Sequence, residues 1–399
     1  MIVRKVKIQN INDALKIVAS TNCDEYVYSK LAKKIMESSF IIDGIDNRAA
    51  NILKQDALSC GCDVAVSKDV SKFLKGKSRA VICANEYQMQ KLSIKIKEQP
   101  FGLKELSKHL LNLNTEQNKR IVLCANKRIS LKNKPLVMGI VNLSQDSFFQ
   151  NGIADEKLAS ELALDMQRQG ADIIDVGAES TRPGSKPLNV KDEIVKITKF
   201  LKFFAKKAEV PISVDTYKPE VAEAALAEGA DIINDIYALR YSKSKRKMAD
   251  VVAKHKAGVV LMHMKGTPLT MQQNIRYNNI LVDIFDFFAK RIDFAVDNGI
   301  KKEAIIIDPG IGFCKTVQDN LLIIKRLFDF KSLNLPVLIG ISNKSFLSKT
   351  IKDENLKERF SANISANVLA AINGADILRV HNVKEIVQSL KIVDAVRRV

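Results

Sequence analysis

The strongest constraint on the fold of this 399-residue chain is a repeat that begins at Pro135. Eight short runs rich in valine and isoleucine follow one another, and each precedes a longer amphipathic segment. This alternation is typical of βα units around a parallel sheet. The eight runs occupy residues 136–143, 171–179, 211–216, 230–236, 258–264, 304–311, 336–342 and 375–381.

Eight βα units within about 265 residues fit a closed (β/α)8 barrel, or TIM barrel, better than an open doubly wound sheet. No GxGxxG turn follows the first strand, which argues against a dinucleotide-binding fold. We therefore predict an α/β protein in which a (β/α)8 barrel at residues 135–399 follows a small α/β domain at residues 1–134.

The N-terminal domain is predicted from shorter and less regular segments. Strands are expected at VRKVKIQ, SFIIDGI, CDVAVS and RAVICA. Helices are expected at NDALKIVAS, NRAANILKQDALSCG, EYQMQKLSIKIKEQP and GLKELSKHLLNL. The polar stretch NTEQNKR and the basic segment NKRISLKNK at 126–134 have the composition of a linker. We assign no function to this domain.

The charge of the chain limits its partners. The net charge is +18, and residues 1–134 hold 25 lysines and arginines against 13 aspartates and glutamates. Lysines dominate, and neither an arginine-rich tail nor an aromatic-interleaved basic stripe is present, so a solvated surface is expected and no nucleic-acid partner. No apolar run reaches the ~20 residues of a membrane span. The start lacks a signal-peptide core, which predicts a cytoplasmic protein. The six scattered cysteines favour reduced thiols over a metal site.

Polar side chains close the predicted strands. The carboxyl ends of barrel strands share one face, and that face carries the active site. Ten polar residues on eight strand ends are too many for ordinary solvated positions. They are Asn142, Glu179, Asp215, Asn234, Asp235, His263, Asp308, Ser342, Arg379 and His381.

The residue types at these strand ends indicate a site for a nitrogen-rich ring and an anion. Carboxylate and amide groups such as Asp215, Asn234 and Asp308 can hydrogen-bond along the edge of a flat heterocycle. Lys344, Arg379 and His381 supply donors or positive charge, and a guanidinium suits phosphate oxygens. The loops SQDSFFQNG and STRPGSKP, rich in glycine, serine and proline, are expected to close over a substrate.

Several of these segments resemble the signatures of dihydropteroate synthases. MGIVNLSQDSFFQNG (138–152) and DIIDVGAESTRPGS (172–185) are similar to the first and second signatures of that family. PISVDTYKPEVAEAAL, GADIINDI, LMHMKGTPLTMQ, IIIDPGIGF, KSF and LRVH follow in the family's order. The resemblance covers essentially all of 135–399.

The resemblance implies a pterin-binding barrel that condenses 6-hydroxymethyl-7,8-dihydropterin pyrophosphate with p-aminobenzoate, giving 7,8-dihydropteroate and pyrophosphate. It implies catalytic roles for Asn142, Asp146, Lys344, Arg379 and His381. It places the pterin pyrophosphate on Thr181, Asp215, Asn234, Asp308, Lys344, Arg379 and His381. It places p-aminobenzoate among Phe148, Thr181, Arg182, Pro183, Phe313, Ser342 and Ser345. It also implies Mg²⁺ on Asn142, inhibition by sulfonamides, and a homodimer.

The chain departs from the family's usual pattern at three places. Ser144-Gln145 stands where Thr-Pro is usual, which loosens a rigid turn. Asn343 replaces an arginine before Lys344, so one positive charge near p-aminobenzoate is lost. Asn382 replaces the aspartate after His381, which could change the hydrogen bonding of that histidine. These departures put substrate affinity in question more than the reaction itself.

Two other functions remain open from the sequence. A pterin-binding methyltransferase has a similar barrel, although the STRPG loop and the basic RVH strand end suit a pyrophosphate better than a methyl donor. A non-catalytic binding module is the other. The N-terminal domain lacks the glycine-rich loop and the Asp-rich metal segment that a fused pterin pyrophosphokinase would need, so that bifunctional arrangement is not expected.

Overall fold

The computed structural model describes residues 11–21, 23, 28–114, 121–125, 127–131, 134–143, 149–150, 153–154, 156–179, 187–266, 276–353 and 356–398. The chain separates into two compact units, residues 1–117 and 118–399. Among the residues that the structure describes, no helix is long and apolar enough to cross a bilayer. All six cysteines are free thiols.

The N-terminal unit is a small sheet with helices. Its strands are β1 (Glu37–Asp46), β2 (Asp63–Val66) and β3 (Lys77–Asn85). Its helices are α1 (Ile11–Ala19), α2 (Tyr28–Ile35), α3 (Asn47–Ser59), α4 (Lys68–Ser71), α5 (Glu86–Lys95) and α6 (Leu103–Asn114). The central strand β3 runs antiparallel to both β1 and β2. Since α3 connects β1 to β2, the unit contains a split β-α-β arrangement.

Local signals explain where the helices of this unit begin. Asp46 caps α3 by accepting a hydrogen bond from the backbone N–H of Arg48. Asn85 and Gln88 form a reciprocal capping box at the start of α5. Every helix and strand predicted at residues 12–113 is present. The strand predicted at VRKVKIQ lies outside the described residues, and the sequence reasoning did not foresee α2 or α4.

The second unit begins with a β-hairpin, β4 (Ile121–Leu123) and β5 (Arg128–Ser130). The later strands are β6 (Leu136–Asn142), β7 (Phe149–Gln150), β8 (Ile153–Ala154), β9 (Ile173–Gly177), β10 (Ile212–Asp215), β11 (Ile232–Asp235), β12 (Gly258–Met262), β13 (Ile305–Asp308), β14 (Leu338–Ile339) and β15 (Ile377–Val380). The helices are α7 (Glu156–Arg168), α8 (Val190–Phe204), α9 (Pro219–Ala227), α10 (Met248–His255), α11 (Ile280–Asp297), α12 (Val317–Lys325), α13 (Ser345–Ile351), α14 (Leu356–Ile372) and α15 (Val383–Arg398).

Eight of these strands form the predicted (β/α)8 barrel. Their order is β13-β12-β11-β10-β9-β6-β15-β14, and neighbouring strands run parallel. A parallel bridge between Ile307 and Val337 joins the two ends of this order. The strands read as continuous runs of valine and isoleucine because both faces are buried, one against the helices and one inside the barrel.

The hairpin of β4 and β5 closes the amino-terminal end of the barrel. Val122 and Ile129 pack with the apolar residues that fill the barrel interior. Lys127 donates through Nζ to the carbonyl of Val210 at 2.7 Å, just before β10. The backbone N–H of Ala125 donates to the carbonyl of Asp231, just before β11. The expected domain boundary, at 134/135, therefore differs from the observed division at 117/118, because the supposed linker contains β5.

Candidate active site

The three residues predicted to hydrogen-bond to a heterocycle lie at or near the carboxyl ends of three barrel strands. Asp215 is the last residue of β10, Asn234 is the third of four in β11, and Asp308 is the last of β13. Asn234 and Asp308 are buried, and Asp215 is half-buried. Their polar groups therefore stand at the end of an otherwise apolar core, where each needs a hydrogen-bonding partner.

Arg379 is the centre of the charge network. It lies in β15, and its Nε donates to Oδ2 of Asp175 at 2.6 Å while its Nη2 donates to Oδ2 of Asp215 at 2.6 Å. Burial opposes the positive charge of Arg379, but Asp175 and Asp215 hold its pKa above the ordinary value. Burial raises the pKa of Asp215, although Arg379 opposes that shift.

Asp175 was missed by the sequence reasoning. It is the third residue of β9 and is fully buried. Its Oδ2 also accepts a hydrogen bond from Asn234 Nδ2 at 3.3 Å, whereas its Oδ1 is buried with no hydrogen-bond partner among the described residues. The strand-end rule overlooked it because it lies inside the strand. A charged residue within the apolar run Ile173–Gly177 was the available signal, since such a charge must be paired.

Lys344 supplies a second positive charge beside this network. Burial, followed by the charge of Arg379, lowers the pKa of Lys344 to about 8, while Asp308 and Asp215 oppose the shift. Its Nζ lies 4.3 Å from the ring centroid of Phe313, within cation–π distance. The structure thus brings together a predicted pterin residue and a predicted p-aminobenzoate residue.

His381 and Ser342 form a hydrogen-bonded pair. Ser342 Oγ lies 3.1 Å from His381 Nδ1, and it accepts hydrogen bonds from the backbone N–H of His381 and from Asn363 Nδ2, both at 3.4 Å. The hydrogen bond between Ser342 Oγ and His381 Nδ1 holds the imidazole ring in place, with a direction that depends on the tautomer of His381. Asn382 directly precedes α15, where asparagine caps as well as aspartate.

Other predicted residues are placed as follows. Asn142 ends β6 and is half-buried. Ser345 is the first residue of α13 and is exposed. Asn343, which precedes Lys344, has a positive φ of 61°, a conformation that asparagine tolerates well. Five predicted site residues lie outside the described residues: Asp146, Phe148, Thr181, Arg182 and Pro183.

Two strand-end acids hold protein groups instead of facing the Arg379 network. Asp235 accepts the backbone N–H groups of Tyr237 and Leu239 and so fixes the loop after β11. Glu179 accepts hydrogen bonds from Lys218 Nζ and from the backbone N–H of Leu188, nine residues later in the chain. Their polarity is explained by these contacts.

The arrangement combines a flat set of acceptors with a cationic edge. Asp175, Asp215 and Asp308 face two cations, Arg379 and Lys344. Burying so many charges is costly and is typical of sites that bind or transform a ligand. The described residues contain no group of three or more His, Cys, Asp or Glu side chains that could hold a metal by themselves.

Comparisons with known proteins show which family the barrel resembles. A family model described as a pterin binding enzyme matches residues 138–381. The dihydropteroate synthase of Bacillus subtilis is 40% identical over 268 residues, which cover 67% of this chain and 90% of that protein. The structure of Xanthomonas albilineans dihydropteroate synthase with 4-aminobenzoic acid has 36% identity and a TM-score of 0.65, and it covers 71% of this chain and 100% of that one.

One similar protein extends over the N-terminal unit as well. The bifunctional dihydropteroate synthase/dihydropteroate reductase of Helicobacter pylori is 29% identical over 395 residues, covering 98% of both chains. Residues 1–117 are therefore matched by a protein whose name includes a second activity.

Proposed function

The chain belongs to the dihydropteroate synthase family of pterin binding enzymes, and we propose that the strand-end residues described above carry out the family's reaction. That reaction transfers the pterin methylene group from pyrophosphate to the amine of p-aminobenzoate, giving 7,8-dihydropteroate and pyrophosphate. The chain is a transferase of folate biosynthesis. The observation that carries the residue assignment is Arg379, which joins the buried carboxylate of Asp175 and the half-buried carboxylate of Asp215 at the carboxyl face of the barrel.

The pterin ring fits the acceptor side of the network. Its amino group and ring N–H groups lie along one edge, and Asp215, Asn234 and Asp308 offer carboxylate and amide oxygens. Oδ1 of Asp175 supports this assignment, because a buried acceptor without a partner costs about 1–3 kcal/mol unless a ligand donates to it. The buried carboxylates also stabilise positive charge that develops on the ring.

The pyrophosphate fits the cationic side. Arg379, Lys344 and His381 would stabilise the leaving anion. The C–O bond between the pterin methylene and the pyrophosphate breaks first, and its electron pair leaves on the pyrophosphate oxygen. The remaining cation is delocalised into the pterin. No protein nucleophile is needed for this dissociative path.

Mg²⁺ is part of the proposal, with Asn142 as its protein ligand. Mg²⁺ is commonly held by one or two protein oxygens together with substrate phosphates and water, and the amide oxygen of Asn142 at the end of β6 fits that donor set. When bound, the ion would neutralise charge on the leaving pyrophosphate. We expect Asn142→Leu to raise the Mg²⁺ concentration required for pyrophosphate binding in calorimetry; an unchanged requirement would remove Asn142 from the proposal.

p-Aminobenzoate would lie on the Phe313 side of Lys344. Its amine attacks the methylene cation, forms the new C–N bond and loses one proton. Ser342 and Ser345 are the other described residues assigned to this pocket. The remaining assigned residues are Phe148, Thr181, Arg182 and Pro183. Sulfonamides resemble p-aminobenzoate in shape and charge, so we expect inhibition competitive with it. Noncompetitive inhibition would place the pocket elsewhere.

A two-substrate assay tests the function directly. Pyrophosphate should appear only when both the pterin pyrophosphate and p-aminobenzoate are present, in a one-to-one ratio with dihydropteroate. A methyltransferase or a non-catalytic binding protein would release none. Catalysis of methyl transfer without pyrophosphate release would overturn the assignment.

A second activity is supported by one observation, the similarity to the Helicobacter pylori bifunctional protein along 98% of this chain. We propose that the chain also reduces dihydropteroate to its tetrahydro form, by transfer of a hydride from a reduced nicotinamide or flavin to the ring carbon of the C=N bond and of one proton from water to its nitrogen. The sequence reasoning did not consider this activity. Oxidation of either cofactor by the full chain, dependent on dihydropteroate, is the expected result; no oxidation of either would refute it.

The oligomeric state and cell compartment are further proposals. Exposed apolar side chains on the outer barrel helices support a homodimer: Leu369 and Ile372 on α14, and Ile392 and Val396 on α15. Sedimentation should give twice the chain mass, and Ile392→Lys with Val396→Lys should halve it. Six free thiols support a reducing, cytoplasmic location.

A further inference from the structure

Lys315 is a buried lysine that the proposed mechanism does not use. It lies between β13 and α12 and is 4% exposed. Its Nζ donates to the carbonyl of His263 at 3.3 Å and to the carbonyl of Phe313 at 2.9 Å, and it is hydrogen-bonded to His263 Nδ1 at 3.1 Å. These three contacts hold the amine in one place.

His263 contacts Lys315 through both its ring and its backbone carbonyl. The hydrogen bond between Nδ1 and Lys315 Nζ runs in the direction that the protonation of the two groups sets. Burial, and next the charge of Lys315, lowers the pKa of His263 to about 2, so the imidazole stays neutral. His263 is therefore a neutral hydrogen-bonding partner of Lys315.

The loop between β13 and α12 is fixed at several other points. The N–H of Gly310 donates to Asp308 Oδ1 at 2.7 Å, and the N–H of Gly312 donates to Asn320 Oδ1 at 2.8 Å. Gly310 has a φ of +71°, and a Cβ at that position would lie 2.2 Å from the carbonyl oxygen of His263. The loop thus lies directly against the end of β12, and Lys315 joins the two.

Phe313 is the residue of this loop that reaches the site. Its carbonyl is held by Lys315, and its ring contacts Lys344 Nζ at 4.3 Å. Moving the peptide of Phe313 would move the ring relative to Lys344. Burying the Lys315 amine is costly, and that burial lowers its pKa to about 7. A purely structural contact could be made by an apolar side chain without that cost.

We propose that Lys315, through His263 and the Phe313 carbonyl, is a positioning residue that sets the Phe313 ring for p-aminobenzoate. The inference rests on the proposed function, which supplies the substrate. Lys315 does not touch the reacting atoms in this arrangement. Its effect should therefore fall on the binding of the aromatic substrate more than on the pterin or the chemical step.

The test compares KM values in full-chain variants. Lys315→Met should raise KM for p-aminobenzoate about tenfold, which corresponds to about 1.4 kcal/mol, and should leave KM for the pterin pyrophosphate within about twofold, the scatter expected for an unrelated contact. Lys325→Met, which removes an exposed lysine from α12, is the matched control and should change neither value. Melting temperatures show how much of each effect is a loss of stability.

Two further sets of variants separate positioning from general damage. His263→Asn retains an oxygen acceptor near the Nδ1 position and should restore p-aminobenzoate binding that His263→Leu loses. In a Phe313→Leu background, Lys315→Met should add little to KM, because both residues act on the same ring. Equal rises in both KM values, or additive effects with Phe313→Leu, would overturn the proposal. Failure of the proposed function would instead appear as a wild-type protein that releases no pyrophosphate.

Discussion

The two units of this chain differ in net charge and in how many charged side chains they bury. Residues 1–134 have an excess of 12 positive charges, yet among the described residues of unit 1–117 the one buried acidic or basic side chain is Asp56. The barrel unit is closer to neutral but buries seven charged residues: Asp175, Glu193, Lys218, Asp231, Asp235, Asp308 and Lys315. Solvated charge is inexpensive and buried charge is not. The distribution of buried charge, and not the net charge, therefore locates the chemistry.

The largest expected effect comes from removing a carboxylate that pairs with Arg379 in the barrel. Asp215→Ala should abolish measurable turnover and weaken pterin binding by about 1.5–3 kcal/mol, because a charged hydrogen-bond partner is lost. The matched change in the N-terminal unit, Asp63→Ala, removes an exposed carboxylate of β2 and should leave kinetics unchanged. Calorimetry measures the pterin affinity of both variants. Unchanged pterin affinity in Asp215→Ala would contradict the claim that the charges of the barrel, and not those of the N-terminal unit, bind the substrate.

Deleting the hairpin should have the next largest effect. Val122 and Ile129 are buried at the amino-terminal end of the barrel, and losing large buried side chains costs about 2–5 kcal/mol each. A fragment of residues 132–399 should therefore melt at least roughly 10 °C below a fragment of residues 118–399. Equal melting temperatures would show that the hairpin does not stabilise the barrel.

The charge of Lys344 should also appear in the pH dependence of catalysis. The pKa of Lys344 is lowered to about 8 by burial and Arg379, so its positive charge is present below that pH and lost as the pH rises through it. We expect kcat/KM for the pterin pyrophosphate to fall above about pH 8. Lys344→Arg should shift that fall to higher pH, whereas Lys97→Met, at an exposed N-terminal lysine, should not. If kcat/KM of Lys344→Arg falls at the same alkaline pH as that of the wild type, the fall is caused by the titration of another group.

The smallest effects concern two similar capping boxes, one in each unit. Asn85 with Gln88 caps α5, and Thr316 with Asp319 caps α12. Asn85→Ala and Thr316→Ala should each lower stability by about 1 kcal/mol in denaturant unfolding. Because Thr316 follows Lys315, its replacement should in addition raise KM for p-aminobenzoate. A rise in KM for p-aminobenzoate in Asn85→Ala as well would contradict the claim that only the barrel unit binds this substrate.

The barrel was predictable because its strands repeat a strong pattern. Eight valine- and isoleucine-rich runs are confirmed as eight parallel strands, and Asp215 and Asp308 close two of them as expected. Asp175 was not found because it depends on which positions of a strand face inward. Lys315 was not found because its acceptors come from a residue 52 positions away and from its own loop. Such long-range partners leave no local pattern.

The hairpin shows why the domain boundary was harder to place. The segment 126–134 is basic and polar in composition, as a linker would be, but only a few of its residues need to be apolar to close the barrel. Ile129 is buried while its neighbours Arg128 and Ser130 are exposed. Alternation over three residues is too short to identify a strand from sequence.

The central claim is that the barrel unit alone performs the synthase reaction, and the most direct test is catalysis by residues 118–399. With both substrates and Mg²⁺ present, this fragment should release one pyrophosphate per dihydropteroate at a kcat close to that of the full chain. The reductase activity proposed above should remain with the full chain. An active full chain beside a folded but inactive 118–399 fragment would contradict the account, because the chemistry would then require residues 1–117.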